Sequence, residues 1–121
     1  MKNWYVAKII YRILISTDKQ IPQFDEQLRL ILAMDEKEAF AKARRLGNKE
    51  EDTFFNEKNE VVYWQFIAVS DLVALKNIED GIELYSKIEE TRDAVDYIKT
   101  AKQKSEAILT KNTVQILNSF L

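Results

Sequence analysis

The stretch WYVAKIIYRILI, residues 4–15, constrains the fold more than any other part of this sequence. Its β-branched and aromatic side chains are those of a strand. A membrane span needs about 20 mainly apolar residues, whereas Lys8 and Arg12 interrupt this run and Asp18-Lys19-Gln20 ends it. Side chains alternate along a strand, so Tyr5, Ala7, Ile9, Tyr11, Ile13 and Ile15 share one face. Trp4, Val6, Lys8, Ile10, Arg12 and Leu14 share the other. The fold must therefore hold a sheet in which two cations sit on an otherwise apolar face, and what they meet there bears on function.

The rest of the chain supplies partners for that strand. FDEQLRLILA, residues 24–33, predicts a second strand with Leu28, Leu30 and Leu32 on one face and Gln27, Arg29 and Ile31 on the other. DEKEAFAKARRLG predicts a helix with Asp35 as N-cap, Glu38 completing a capping box, and Ala39, Phe40, Ala43 and Leu46 as the apolar stripe. Arg44 and Arg45 suit its negative end, and Gly47 suits the position just past it. Phe54-Phe55 and the run from Val61 to Val69 flank NEKNE, which predicts a hairpin. VVYWQFIAV is apolar on both faces, the pattern of a central strand with Trp64 buried. Gly81 to Ile88 alternates as a further strand. Thr91 is the expected N-cap of a C-terminal helix carrying Ala94, Val95, Ile98, Ala101, Ser105, Ile108 and Leu109, with TKNT a break before a final amphipathic piece, VQILNSFL.

These elements predict an α+β fold. A mainly antiparallel sheet of four to five strands carries one helix packed on a face, followed by a C-terminal helical segment. We expect a core domain over residues 1–90, and over 91–121 a helical segment that packs on the core or on a partner subunit. Composition narrows the function. A net charge of −2 gives no broad attraction for nucleic acid. The absence of cysteine excludes a disulfide framework and thiolate metal sites, and the absence of histidine removes the commonest metal ligand and general base. No cofactor and no metal site is expected. The Met-Lys-Asn start lacks a secretory pattern, so the expected location is cytoplasmic.

In order, WYVAKIIYRI, FDEQLRLILA, DEKEAFAKARRLG, FFNEKNEVVYWQF, VSDL and DGIELYS resemble a bacterial family catalogued as domain of unknown function 4288. The resemblance covers roughly residues 3–90. Its most specific parts are the Trp-Tyr-x-x-Lys start, Trp64-x-Phe66 and Gly81-x-Glu83-x-x-Ser86. It implies a bacterial, intracellular, single-domain protein and carries no activity.

If the polar residues of the predicted strands share the Lys8 face, one side of the sheet gathers Lys8, Arg12, Arg29, Gln65 and Glu83 beside aromatic rings. The plainer reading is that Lys8 and Arg12 pair with Glu83 or Glu26, their stems lying over apolar surface. The functional reading is a site for an anionic ligand. A catalytic reading, with Glu83 as general base, lacks any supporting motif, so no catalytic residue is assigned. Asp25 and Glu26 point to opposite faces and make a poor acid/base pair. Cations among aromatics on a sheet also suit single strands, but the glycine-aromatic signature of an RNA-binding sheet is missing, and nucleic acid is disfavoured. The favoured expectation is a non-enzymatic binding or protein-interaction module, of regulatory or toxin-immunity type. The alternative is a small-molecule or anion-binding protein, or a small enzyme, using Lys8, Arg12 and Glu83. The expected partners are an unidentified protein and a second copy of the chain; no membrane partner is expected.

Overall fold

The computed structural model describes residues 1–16 and 21–112. The final apolar piece expected at 114–121 lies outside the described residues. The chain divides into two compact units, Met1–Ser86 and Lys87–Leu121.

In the first unit, strands β1 (Asn3–Ile15), β2 (Gln23–Ala33), β3 (Asp52–Phe55) and β4 (Val61–Leu75) form one sheet in the order β2-β1-β4-β3. All three pairings are antiparallel. Helix α1 (Glu36–Lys49) packs on one face. The class is α+β, as expected. The hairpin also forms where expected, with Phe55 opposite Val61. Its turn is held by Asn56, whose Oδ1 accepts from the N–H groups of Lys58 and Glu60, while Asn59 takes a positive φ of 64° that asparagine tolerates.

Small residues set the approach of α1 to the sheet. Ala39, Ala43 and Gly47 recur every fourth residue, all buried; Ala39 and Ala43 join Tyr5, Ala7, Ile31 and Ala33 in the core, and Gly47 lies against Phe66. Asp35 is the N-cap, its Oδ1 accepting from the Glu38 N–H at 2.8 Å. The Glu38 carboxylate reaches back to the Met34 N–H, one residue before the cap, rather than to Asp35 itself.

Several expectations are corrected. Gly47 lies inside the helix, not beyond it, and Lys49 rather than the Arg44-Arg45 pair occupies the last turn. Phe40 is exposed, because Ala39 and Ala43 already define the face turned to the sheet. Trp64 is only half-buried. Gly81–Ile88 forms no strand: the segment has the alternation but no hydrogen-bonded neighbour strand. Instead β4 runs on through Ser70–Leu75, and two register shifts against β1, between Lys8 and Ile9 and between Ile10 and Tyr11, accommodate its extra residues.

In the second unit α2 spans Ala94–Lys111. Its N-cap is Asp93, which accepts from the Asp96 N–H at 2.9 Å; Thr91 accepts instead from the Asp93 N–H. None of its residues is buried, and Val95, Ile98, Ile108 and Leu109 are exposed.

Candidate functional site

Strand register decides which of the five candidate residues meet. Lys8 stands opposite Leu28 on β2 and Asp71 on β4; Arg12 stands opposite Phe24 and Gln65. Directly opposed residues of an antiparallel pair share a face. Lys8, Arg12 and Gln65 therefore lie together on the face turned away from α1, the open face.

Arg29 does not join them. It stands opposite Ala7, on the α1 face, and makes two hydrogen bonds to the Glu50 carboxylate at 2.6 and 2.9 Å. That contact raises Arg29 and lowers Glu50 from their ordinary values. Gln27 follows Arg29 onto the same face, where its Oε1 accepts from Arg29.

Glu83 lies on the segment that follows β4. It helps line an open cleft of about 470 Å³ formed by the end of β4 and residues 82–86. The ring of Tyr85, from the same segment, lies 5.1 Å from Lys8 Nζ and is the residue that brings this segment to the cation. The carboxylate that meets Lys8 is Glu26, at 2.7 Å, with the lysine side chain only 12% exposed. The Glu26 hydrogen bond holds the Lys8 ammonium above its ordinary value against the opposing effect of desolvation. Lys8 is thus a partnered cation, as the plainer reading expects.

Arg12 is placed differently. Its guanidinium lies 5.9 Å from the Phe24 ring, and its Nε is buried with no hydrogen-bond partner among the described residues. The sequence leaves Glu26 and Glu83 as alternative partners of Lys8; the β1–β2 register, which sets Glu26 opposite Ile10, and the path of the chain after β4, which brings up Tyr85, decide between them.

Part of the open face is covered, since Val6 and Leu75 are buried on it, but several large apolar side chains there stay exposed. Trp4, Phe24, Leu28, Leu30 and Val73 are between 39% and 55% exposed. By register, Trp4, Leu28 and Leu30 line up with Lys8 and Val6 on this face, and Val73 stands opposite Val6. Monomeric proteins seldom expose contiguous apolar patches of large size, and such patches mark contact sites. Among the described residues no cluster of three or more carboxylates is arranged to hold a metal ion. No helix among them is long and apolar enough to cross a membrane.

Fold and site define a small α+β domain whose antiparallel sheet is covered by a helix on one face and bears a few partnered charges among exposed apolar side chains on the other. The chain belongs to the family described as domain of unknown function DUF4288, whose model matches residues 4–86. The match takes in the sheet from Trp4 onward, α1 and the Tyr85 segment, and stops short of α2. No curated protein and no solved structure matches the chain.

Proposed function

We propose that this chain is a non-enzymatic protein-interaction module of the bacterial cytoplasm, and that the open face of its sheet is the surface that takes up the partner. The observation that carries this reading is the exposure of Trp4, Phe24, Leu28, Leu30 and Val73 on a face where Lys8 already has Glu26 and Tyr85. With that cation engaged, the exposed apolar side chains are the larger part of what the face offers, and burying each contributes roughly 1.5–3 kcal/mol. The lack of cysteine fits a reducing compartment. The net charge of −2 fits a protein partner better than a nucleic acid. Self-association belongs to the same reading, with the exposed stripe of α2 as its contact. A regulatory or immunity-type role is compatible with such a module.

The test is affinity capture from the native host, comparing the wild type with a Phe24→Asp/Val73→Asp variant that keeps its melting transition. A protein retained by the wild type and lost by the variant supports the reading. An unchanged set of retained proteins contradicts it.

A second reading is favoured by the cleft of about 470 Å³, which Glu83 and Tyr85 line and which Tyr85 links to Lys8. There a small ligand with an anionic group would lie along Val73–Lys76, with Lys8 and Arg12 on the adjoining face. Native mass spectrometry of the protein purified without denaturation distinguishes the two: a stoichiometric small molecule, lost in Lys8→Met, favours the cleft.

A further inference from the structure

We propose that the free edge of β2 is a second docking site, which adds one extended peptide segment whose apolar side chains alternate with carboxylates. This inference rests on the interaction-module reading and names the chemistry of a partner at a different surface.

Strand β2 ends the sheet, so among the described residues one side of its backbone has no neighbouring strand. The side in question is identified by Lys42, whose Nζ donates to the Leu32 carbonyl at 2.8 Å. Backbone groups of alternate residues point the same way along a strand, so the carbonyl and N–H groups of Leu30 and Leu28 face outward with those of Leu32. An unpaired row of this kind is a template for strand addition, and a lysine laid across it is a common guard against unspecific pairing.

A groove of about 590 Å³ straddles this edge. Its two walls differ in chemistry. On the open-face side stand Trp4, Leu30 and Leu32, with Leu30 53% exposed. On the other side α1 contributes Lys42, Arg45 and Lys49, spaced three and four residues apart and so aligned on one stripe of the helix, with Leu46 of α1 and Ile31 of β2 completing the lining. Among the described residues no carboxylate lines the groove. Glu50, next in sequence to Lys49, is already held by both terminal nitrogens of Arg29.

An added strand turns alternate side chains to the two walls. Its apolar row would extend the leucine row of β2, and its acidic row would lie along the three cations. The period of two in the ligand is thus fixed by the backbone, and the identity of each row by the wall it meets. Lys42 would exchange the Leu32 carbonyl for a ligand carboxylate when the ligand's N–H takes its place.

The probe is a short labelled peptide in which valine alternates with glutamate, titrated with the full chain by fluorescence anisotropy at low and moderate salt. We expect saturable binding, weakened about tenfold by Arg45→Glu/Lys49→Glu and weakened by added salt. A valine–lysine peptide should not bind. N-methylation of every second residue removes the N–H groups along one edge of the peptide: one of the two alternate patterns should abolish binding and the other should spare it. Binding that tolerates both patterns, or equal binding of the lysine peptide, overturns the proposal. So does full competition by a single-stranded oligonucleotide of equal charge, which would show that the stripe reads charge alone. Absence of binding overturns it too, and leaves the open face to be judged by its own capture assay. Loss of peptide binding in Phe24→Asp/Val73→Asp but not in Arg45→Glu/Lys49→Glu would move the ligand to the open face, contradicting the groove while preserving the module.

Discussion

The Tyr11 hydroxyl donates a 2.8 Å hydrogen bond to the carbonyl of Gly47, joining the middle of β1 to the last turn of α1 across 36 positions of sequence. The last carbonyls of a helix lack intrahelical donors. Here the Glu51 N–H turns to Asn48, so Tyr11 satisfies an acceptor the helix leaves open. The same glycine lies against Phe66 of β4, whose ring occupies the space of a missing side chain. Two neighbouring strands therefore fix one end of the helix, and with it the position of Glu50 beside Arg29.

Gly47→Ala tests that packing. Alanine in an open helix interior gains about 1 kcal/mol over glycine. At this position the added carbon would collide with Phe66 Cε1. We expect a net loss of about 1–3 kcal/mol in urea unfolding, as overpacked cores show. Phe66→Leu in the Gly47→Ala background should recover part of it. A variant more stable than wild type would show that the ring moves aside at no cost.

Tyr11→Phe tests the hydrogen bond and has a pH signature. Burial, the largest cause, raises the Tyr11 hydroxyl above its ordinary value. A raised folded value means a contribution complete below the unfolded tyrosine range and lost as pH rises through the folded one. Tyr11→Phe should cost about 1 kcal/mol at neutral pH. It should also flatten the alkaline fall in stability. Parallel alkaline limbs for the two proteins would contradict this.

Arg29 and Glu50 act at the opposite end of the pH scale. The Arg29 hydrogen bond lowers Glu50, so its contribution is complete above the unfolded carboxylate range and is lost as pH falls through the folded value. Both side chains are partly exposed, at 33% and 41%, so solvent screening keeps the effect below about 1 kcal/mol. Glu50→Gln should reduce the acid-limb slope of a melting-temperature profile and leave the alkaline limb unchanged.

These relationships mark how far the sequence can be read. Strand β1, the NEKNE hairpin and the Asp35 cap are legible because each is written locally, in alternation, turn residues and capping spacing. The two faces of β1 and of β2 are legible as well. Their pairing is not, because a slip of one residue exchanges the faces. That is why Arg29 and Gln27, expected beside Lys8, lie across the sheet from it. Gly47 carries a stop signal in sequence, while its actual role is to admit the Phe66 ring, a contact no local pattern encodes. Gly81–Ile88 has a strand's alternation without a strand's neighbour. Of the candidate site, Lys8, Arg12 and Gln65 share a face as expected, whereas the choice of Glu26 over Glu83 as the partner of Lys8, with Tyr85 beside it, follows only from tertiary placement.

Self-association through α2 is tested in the full chain. Ile98 and Ile108 are 52% and 63% exposed, on the stripe proposed as the contact between copies. Ile98→Asp/Ile108→Asp should shift the mass measured by light scattering from dimer to monomer while leaving the unfolding transition of the sheet domain in place. A wild type that is monomeric throughout the accessible concentration range would contradict the proposed contact.

The open face itself is tested most directly by site-specific photo-cross-linking in living cells of the native host. A benzophenone side chain would replace Phe24, 55% exposed on the open face, or Lys37, exposed on α1. The expected result is a discrete cross-linked species with the probe at position 24 and none with the probe at position 37. Identical adducts from both positions, or none from position 24 under conditions that cross-link a known complex, would contradict the assignment of the open face as the partner surface.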